Sequence, residues 1–428
     1  MAQVARILDD LLRDALASLP AIALDGPKGV GKTTTASRLA RSVIELDLEA
    51  ELQALREDPG RVERMPVPLL IDEWQLYPPV WDRVRRAVDR NPEPGRFILT
   101  GSATPAEAPR HSGAGRIVHF RMRPFSLAER LAAPAPAPAP AVSLGALLRG
   151  GRQPVSGASE LSAPDYAAEI VQGGFPALRS VSPRFRSRAW AGYLDEVLNR
   201  DLPELGRPVR RRDTMRAWLR SYALATGTTA SYTEILDNAM AGDVDKPSKV
   251  TTLAWRESLS AMWLIDPLPA WDDPRRRLSR LGQTPKHHLA DPALAAHLLG
   301  LDANSLLAGR DVPVPPRPGT VFGALFESLV TESVRVYADA AEARTSHLRT
   351  RSGDHEVDLM VTRGDGCVLA IEVKSAPEVG ADDVKHLRWL SGKLGPDLID
   401  AAIVNTGPAA YRRSVDGIAV IPAALLGP

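Results

Sequence analysis

The chain has 428 residues, a length that predicts two or three domains rather than one. Its 53 Lys and Arg residues nearly balance its 52 Asp and Glu residues, so the net charge of +1 argues neither for nor against binding to nucleic acid. A single cysteine, Cys367, excludes a disulfide framework and a cysteine-rich zinc site. The first residues predict an amphipathic helix rather than a signal peptide, and no apolar stretch approaches the roughly 20 residues of a membrane span. We therefore expect a cytoplasmic protein with no membrane partner.

The first predicted strand, residues 21–24, leads into a phosphate-binding loop of the form G-x-x-x-x-G-K-T. The loop consists of Gly26, Pro27, Lys28, Gly29, Val30, Gly31, Lys32, Thr33 and Thr34. Its glycines let backbone N–H groups curl around a polyphosphate, and the helix that follows adds its positive end. In this motif Lys32 reaches the β- and γ-phosphates, and the Thr33 hydroxyl helps to hold Mg²⁺. The strand–loop–helix context predicts a nucleoside triphosphate site, and the alternative is a glycine-rich turn that matches by chance.

A second apolar run, residues 67–71, ends in the adjacent carboxylates Asp72 and Glu73. A buried parallel strand with this ending places one acid beside Mg²⁺ and a second acid beside the attacking water. We assign the metal-side role to Asp72 and the general-base role to Glu73. The pattern is weak by itself, and it becomes specific because it follows a complete phosphate loop.

A third buried strand is predicted within residues 96–103, and small polar residues stand at its end. Either Thr100 or Ser102 could sense the γ-phosphate there, and we select Ser102, although a strand-ending turn explains both residues equally well. Strands alternate with helices over residues 20–125, which predicts a parallel sheet covered on both faces.

The last predicted strand of this part, residues 114–120, carries Arg116 near its start. Arg116 is a candidate arginine finger, a residue that reaches the γ-phosphate held by a neighbouring subunit. Arg110, Arg121 and Arg123 compete for the same role. The prediction implies a homo-oligomer.

An alternating Pro-Ala tract begins at residue 132, and a Gly/Ser-rich stretch follows at residues 150–160. Such a tract is stiff and extended and has no means of building a core, so we expect residues 132–163 to be a linker or insertion.

Residues 164–310 have helical periodicity, and Ser231 to Glu234 form a capping box that starts a short helix. A second helix from residue 247 and a basic segment complete the pattern of a winged helix-turn-helix. The basic residues on its predicted recognition helix and wing are Lys246, Lys249, Arg256, Arg275, Arg276 and Arg277. DNA contact is one interpretation, and structural packing or protein contact is the other.

The last part carries acids and a lysine on two strands that are joined by a hairpin. Glu372 and Lys374 share one face of their strand, and pairing across the hairpin can bring Asp358 beside them. Glu327 could complete the site from a preceding helix. In this arrangement Asp358 and Glu372 would bind a divalent metal and Lys374 would orient water or screen a phosphate, as in a nuclease. The alternative is a solvated sheet face.

The chain resembles bacterial and archaeal AAA-type ATPases that carry a C-terminal domain of unknown function. The resemblance rests on residues 26–36, 69–75, 97–103, 114–129, 172–176, 289–300, 322–330, 355–361 and 371–375. It implies an α/β fold in four segments: a P-loop, AAA-like ATPase domain (1–131), the linker or insertion (132–163), a helical region with a winged helix-turn-helix (164–310) and a restriction-endonuclease-like α/β domain (319–428). It also implies ATP as the nucleotide, because no N-K-x-D motif is visible.

These observations predict an ATPase that hydrolyses ATP with Mg²⁺ and is coupled to a DNA-contacting or nuclease-like domain. The alternative is a regulatory or scaffold ATPase whose C-terminal domain binds a protein partner and cuts nothing. A kinase-like transferase is a third class, but the pair Asp72 and Glu73, with no recognisable acceptor-binding lid, favours hydrolysis.

Overall fold

A computed structural model describes residues 4–104, 113–132, 141–204, 211–240, 247–272, 282, 284–308 and 320–428. Its N-terminal part is built on a parallel sheet with the strand order β2-β3-β4-β1-β5. The strands are β1 (Ala21–Asp25), β2 (Ser42–Glu45), β3 (Leu69–Asp72), β4 (Phe97–Gly101) and β5 (Val118–Arg121). The predicted parallel sheet is thereby confirmed.

Helices cover both faces of this sheet. They are α1 (Leu8–Ser18), α2 (Lys32–Ser37), α3 (Glu49–Glu57), α4 (Arg61–Arg64), α5 (Pro79–Arg90) and α6 (Leu127–Leu131). In β1 alternate residues enter different cores, since Ile22 packs in the cluster that contains Leu12 of α1, and Ala23 in the cluster that contains Val84 of α5. The near-continuous apolar run of β1 follows from this burial on both sides.

The middle part is helical, as its periodicity predicts. Helix α7 (Leu144–Leu148) precedes this part. The helices of the middle part are α8 (Ala163–Gln172), α9 (Pro176–Arg179), α10 (Pro183–Glu196), α11 (Leu202–Glu204), α12 (Arg212–Leu224), α13 (Tyr232–Ala239), α14 (Lys249–Ala261), α15 (Pro292–Leu298) and α16 (Ala303–Ala308). A π-helical turn, Val197–Asp201, joins α10 to α11. The predicted capping box is present at Ser231 and Glu234.

The predicted DNA-contacting residues are only partly within the described chain. Lys246 and Arg275 to Arg277 lie outside it. Lys249 is exposed at the start of α14, whereas Arg256 lies 4.0 Å from the centre of the Tyr232 ring and contributes to packing.

The C-terminal part is a mixed sheet with the order β7-β12-β13-β11-β10-β9-β8, packed against α17 (Val321–Ala340) and α18 (Lys385–Leu394). Its strands and a short flanking pair are β6 (Val142–Ser143), β7 (Gly157–Ala158), β8 (Arg344–Arg349), β9 (Glu356–Thr362), β10 (Val368–Lys374), β11 (Leu398–Asn405), β12 (Ala409–Arg412), β13 (Ala419–Pro422) and β14 (Leu426–Gly427). Strands β9 and β10 are antiparallel, and the pair Leu359 and Ile371 places Asp358 opposite Glu372.

Residues 141–163 differ from the expected linker, because they are integrated into the C-terminal part. Strand β6 pairs with β14, and β7 pairs with β12. Leu144 and Leu147 of α7 are buried. The apolar residues that follow the Pro-Ala tract explain this docking, while residues 133–140 of the tract lie outside the described chain.

One apolar core runs through all three parts of the chain. It joins Leu24 of β1, Trp190 of α10, Phe326 of α17 and Ile371 of β10. Helix α17 lies at its centre and is buried over most of its length. The phosphate loop and the C-terminal sheet are therefore linked by continuous packing.

Candidate nucleotide-binding site and a second charged centre

The phosphate loop connects β1 to α2, as its sequence predicts. Gly29 and Gly31 have φ angles of 83° and 100°, which side-chain-bearing residues rarely adopt. At Gly26 an added Cβ would lie 2.2 Å from the carbonyl oxygen of Met122, so only glycine fits. The positive φ angles and the close approach of the Met122 carbonyl thus both require glycine in this loop.

Lys32 is buried inside the loop with 4% of its surface exposed. Its Nζ donates to the carbonyl oxygens of Gly26 (2.9 Å) and Pro27 (3.0 Å) and to Ser102 Oγ (2.9 Å). Burial lowers the pKa of Lys32 to about 8, although the charges of Glu73 and Asp72 act in the opposite direction. The ammonium group is thus held by weak neutral acceptors, a position that favours exchange for a polyphosphate.

The two residues predicted to hold Mg²⁺ are in contact. Thr33 Oγ1 donates to Asp72 Oδ1 at 2.9 Å, and the Thr100 hydroxyl also donates to Asp72. Burial raises the pKa of Asp72, and the hydrogen bonds from Thr100 and Thr33 oppose that shift. A hydroxyl and a carboxylate are hard oxygen ligands that suit Mg²⁺, which usually takes few ligands from the protein and the rest from water and phosphate.

Glu73, the predicted general base, lies next to the predicted sensor. Ser102 Oγ donates to Glu73 Oε1 at 2.7 Å, and the Gln75 side chain donates to the other oxygen. Because Ser102 also accepts from Lys32, the three side chains form one chain of hydrogen bonds. Glu73 has a φ of 53°, and a non-glycine residue in this region carries a strain of about 1–3 kcal/mol that is typical of functional positions. Sequence reasoning missed Gln75, whose only signal is its place two residues after the acid.

The candidate arginines that the structure describes occupy different settings. Arg116 is exposed, and its Nε donates to Asp89 Oδ1 of α5 at 2.8 Å. Arg123 is buried and pairs with Asp266 and Asp339. Arg110 lies outside the described chain. A role for Arg116 in a neighbouring subunit's site stays a prediction.

Arg121 differs from these residues, because its charge is buried without a direct ionic partner in the described chain. It stacks 3.8 Å from the centre of the Trp263 ring, and its Nε and Nη1 have no hydrogen-bond partner among the described residues. Burial lowers the pKa of Arg121 to about 9, and its charge also lowers the pKa of Lys32. A second cation therefore stands near the phosphate loop.

Residues of the middle part contact the outer side of the phosphate loop. Sequence reasoning did not predict these contacts. Lys28 Nζ lies 2.8 Å from Asp201 Oδ1, and the Tyr193 hydroxyl donates to the Lys28 carbonyl at 3.2 Å. The Phe175 ring lies 3.9 Å from the position of a Cβ at Gly29. Asp201 ends the π-helical turn, a distortion that is frequent at functional sites.

The acids of the C-terminal hairpin surround a lysine. Lys286 Nζ lies 2.8 Å from Asp358 Oδ1, 2.9 Å from Glu327 Oε1 and 2.8 Å from Glu356 Oε1. The structure thus brings Glu327 and Asp358 together as predicted, but the ammonium group of Lys286 lies between them where a metal ion was expected.

Glu372 and Lys374 lie beside this centre, 3.3 Å apart between Oε2 and Nζ. Burial and then the charge of Asp358 raise the pKa of Glu372 well above its usual value. Among the described residues, no group of three or more His, Cys, Asp or Glu side chains is arranged to hold a metal. The sequence did not reveal that Lys286 would lie among these acids, and metal binding by Asp358 and Glu372 stays a prediction.

Comparison with known proteins divides the chain into three matched segments. Residues 18–131 match the family model described as AAA domain. Residues 163–305 and 322–426 match two models described as domains of unknown function, DUF8612 and DUF4143. Together with the loop geometry, the first match supports an AAA-type P-loop ATPase domain.

Curated relatives extend over nearly the whole chain. Uncharacterized proteins of Mycobacterium tuberculosis (Rv2008c) and Mycobacterium bovis (Mb2031c) are each 26% identical over 96% of this chain and 82% of their own length. Neither name carries a function.

Two archaeal structures are weakly similar. A Walker-type ATPase of Pyrococcus abyssi is 18% identical, with a TM-score of 0.37, and the match covers 68% of this chain and 94% of that one. The ORC2 protein of Aeropyrum pernix is 14% identical, with a TM-score of 0.27, over 70% and 93% of the two chains. Both TM-scores are too low to support a conclusion. In the described part of the chain, no helix is both long and apolar enough to cross a membrane.

Proposed function

We propose that the N-terminal part binds ATP with Mg²⁺ and hydrolyses it. The observation that carries this proposal is the chain of contacts from Lys32 through Ser102 to Glu73, next to the contact between Thr33 and Asp72. These residues come from the loop and from the ends of β3 and β4, and they meet at one edge of the parallel sheet. Ligands of open α/β sheets bind at this edge.

Each residue then has a defined task. Lys32 leaves the carbonyl oxygens of its own loop and binds the β- and γ-phosphates. Thr33 and Asp72 would hold Mg²⁺, which supplies charge neutralisation at the phosphates when it is bound. Glu73 accepts a proton from the attacking water, and Ser102 and Gln75 hold its carboxylate in position.

Two substitutions test this assignment. Lys32→Ala is expected to abolish tight ATP–Mg²⁺ binding, because the charge that faces the phosphates is lost. Glu73→Gln is expected to keep binding and to lower turnover by about 10²–10⁴-fold, because an amide cannot accept the proton. The matched control is Glu57→Gln at the exposed end of α3. Hydrolysis by Glu73→Gln at the parent rate would show that Glu73 is not the base.

We further propose that the nucleotide state reaches the C-terminal part through α17. Met122 N donates to the Asp25 carbonyl at 2.7 Å, immediately before the loop. The next residue, Arg123, contacts Asp266 of the middle part at 3.0 Å and Asp339 of α17 at 2.6 Å. A shift of the loop on ATP binding would therefore act on a buried ionic centre that joins all three parts.

The predicted winged helix supports DNA contact as the output of this coupling. Its exposed Lys249 is available to a phosphate, whereas Arg256 is engaged with Tyr232. The test is DNA retention with and without ATP across a salt series, beside Lys249→Ala. Loss of one phosphate contact should reduce the salt slope by about one. Absence of retention at low salt would leave the regulatory ATPase with a protein partner as the function.

A further inference from the structure

We propose that Lys286 is the permanent cation of the C-terminal acid centre, so that this centre joins two parts of the chain and binds no divalent metal. The acid centre is defined here as Glu327, Glu356 and Asp358 around Lys286. This inference concerns a different site from the ATPase and does not depend on it.

Carboxylate oxygens surround Lys286 Nζ in the way that the ligands of a metal site surround their ion. An ammonium group has three N–H donors, and three carboxylates lie 2.8–2.9 Å from Nζ. Lys286 is completely buried. A buried ammonium group is stable only when it is paired and hydrogen-bonded, and this arrangement meets both requirements.

The charges agree with the geometry. Burial alone would raise the pKa of Asp358, but the charges of Lys286 and then Lys374 outweigh burial and hold that pKa well below its usual range. Lys286 and Lys374 thus place two positive charges beside the carboxylates that a divalent ion would otherwise contact.

The backbone holds the lysine in position. Lys286 and Leu268 exchange two backbone hydrogen bonds of 2.9 and 3.0 Å. The next two residues are also anchored, His287 on the Ala230 carbonyl at 2.7 Å and His288 on Ser328 of α17 at 3.2 Å. The fold therefore fixes the backbone position from which the Lys286 side chain enters the centre.

The acid centre joins residues that are far apart in the sequence. Lys286 is 41 residues from Glu327 and 72 residues from Asp358. The lysine belongs to the segment that follows the predicted winged helix, and the acids belong to α17 and β9. The position that a nuclease would use for its metal thus becomes an internal contact between the middle and C-terminal parts.

The experiment measures Mn²⁺ binding and thermal unfolding of the full chain without nucleotide, with Mn²⁺ alone as the probe. Wild type and Asp358→Asn are expected to bind the same number of Mn²⁺ ions, and EDTA is expected to leave the wild-type unfolding temperature unchanged. A Mn²⁺ site that is present in wild type and absent in Asp358→Asn would overturn the proposal. Any Mn²⁺ bound at the phosphate loop is common to both proteins and cancels in the comparison.

A second variant tests directly whether the Lys286 ammonium group takes the place of a metal ion. Lys286→Met keeps the length of the side chain and removes its charge. Mn²⁺ is expected to raise the unfolding temperature of Lys286→Met but not that of Lys286→Met/Asp358→Asn. No Mn²⁺ effect on a folded Lys286→Met protein would overturn the proposal. If Lys286→Met does not fold, the comparison of wild type with Asp358→Asn still tests whether the acid centre binds Mn²⁺.

Discussion

ATP binding by this protein is expected to take up a proton, and its affinity is expected to fall as the pH rises. The group responsible is Lys32, whose pKa is lowered by burial to about 8 in the nucleotide-free protein. Negative phosphates beside Nζ favour the charged form, so the pKa of Lys32 rises when ATP binds. Above its pKa the lysine of the free protein is neutral, so ATP binding must include its protonation. This requirement weakens ATP binding as the pH rises.

The magnitude follows from the same pKa. One unit below it the lysine is roughly nine-tenths protonated, and one unit above it roughly one-tenth. The dissociation constant for ATP should therefore increase about tenfold between about pH 7 and about pH 9. The folding stability of the nucleotide-free protein should rise with pH, whereas its ATP affinity falls. The unfolded chain binds the Lys32 proton more tightly, so this rise lies between about pH 8 and the ordinary lysine pKa of 10.5.

The assay is calorimetric titration of a non-hydrolysable ATP analogue with Mg²⁺ into the wild-type protein, so that Glu73 keeps its charge beside Lys32. Two buffers with different ionisation enthalpies give the proton uptake, which should reach about half a proton at about pH 8. The control is Lys32→Arg, since a guanidinium group at position 32 has a much higher pKa than an ammonium group, and any contribution of Arg121 is common to both proteins. The same pH slope in Lys32→Arg, or no proton uptake in the lysine protein, would refute the reasoning.

Three further substitutions probe the loop and its surroundings. Gly26→Ala should destabilise the fold by about 1–3 kcal/mol and weaken ATP binding, as measured by urea unfolding and titration, because its Cβ would meet a backbone oxygen at 2.2 Å. Gly192→Ala is the control, since nothing lies within 4 Å of an added Cβ there and stability should rise by about 0.5–1 kcal/mol. Arg116→Ala should lower turnover more than ATP affinity, and specific activity should rise with protein concentration; a concentration-independent rate with a silent Arg116→Ala would contradict the arginine finger. Asp201→Asn should free Lys28 and tighten ATP binding several-fold, and unchanged affinity would show that this ion pair does not compete with phosphate.

The local part of the site could be predicted because its residues are neighbours in the sequence. The phosphate loop is one run of nine residues, and its strand and helix follow from apolar patterning and glycine placement. Asp72 and Glu73 follow from the same kind of pattern, at the end of an apolar run. Each of these inferences needs only a motif and the strand that precedes it.

Contacts between distant segments could not be predicted. Asp201 meets Lys28 across 173 residues, and Lys286 meets Asp358 across 72. Nothing in the sequence around either pair indicates the other member, since each contact depends on how whole elements pack. The same limit explains residues 141–163, whose two short strands pair, within the described structure, with residues near the end of the chain.

The charged contacts between the parts have a consequence for how the ATPase can act. Arg130 of α6 is fully buried and lies 2.9 Å from Glu332 of α17 and 3.5 Å from Asp291, which caps α15. Burying such groups costs about as much desolvation energy as their attraction returns, so they add little to stability, while breaking one pair leaves an uncompensated charge that costs about 3–5 kcal/mol. An apolar interface could slide by small steps, but these pairs permit only arrangements in which every charge has a partner. Movement of the phosphate loop should therefore be transmitted to α17 as a switch between discrete arrangements, because intermediate positions would leave Arg123 or Arg130 buried and unpaired.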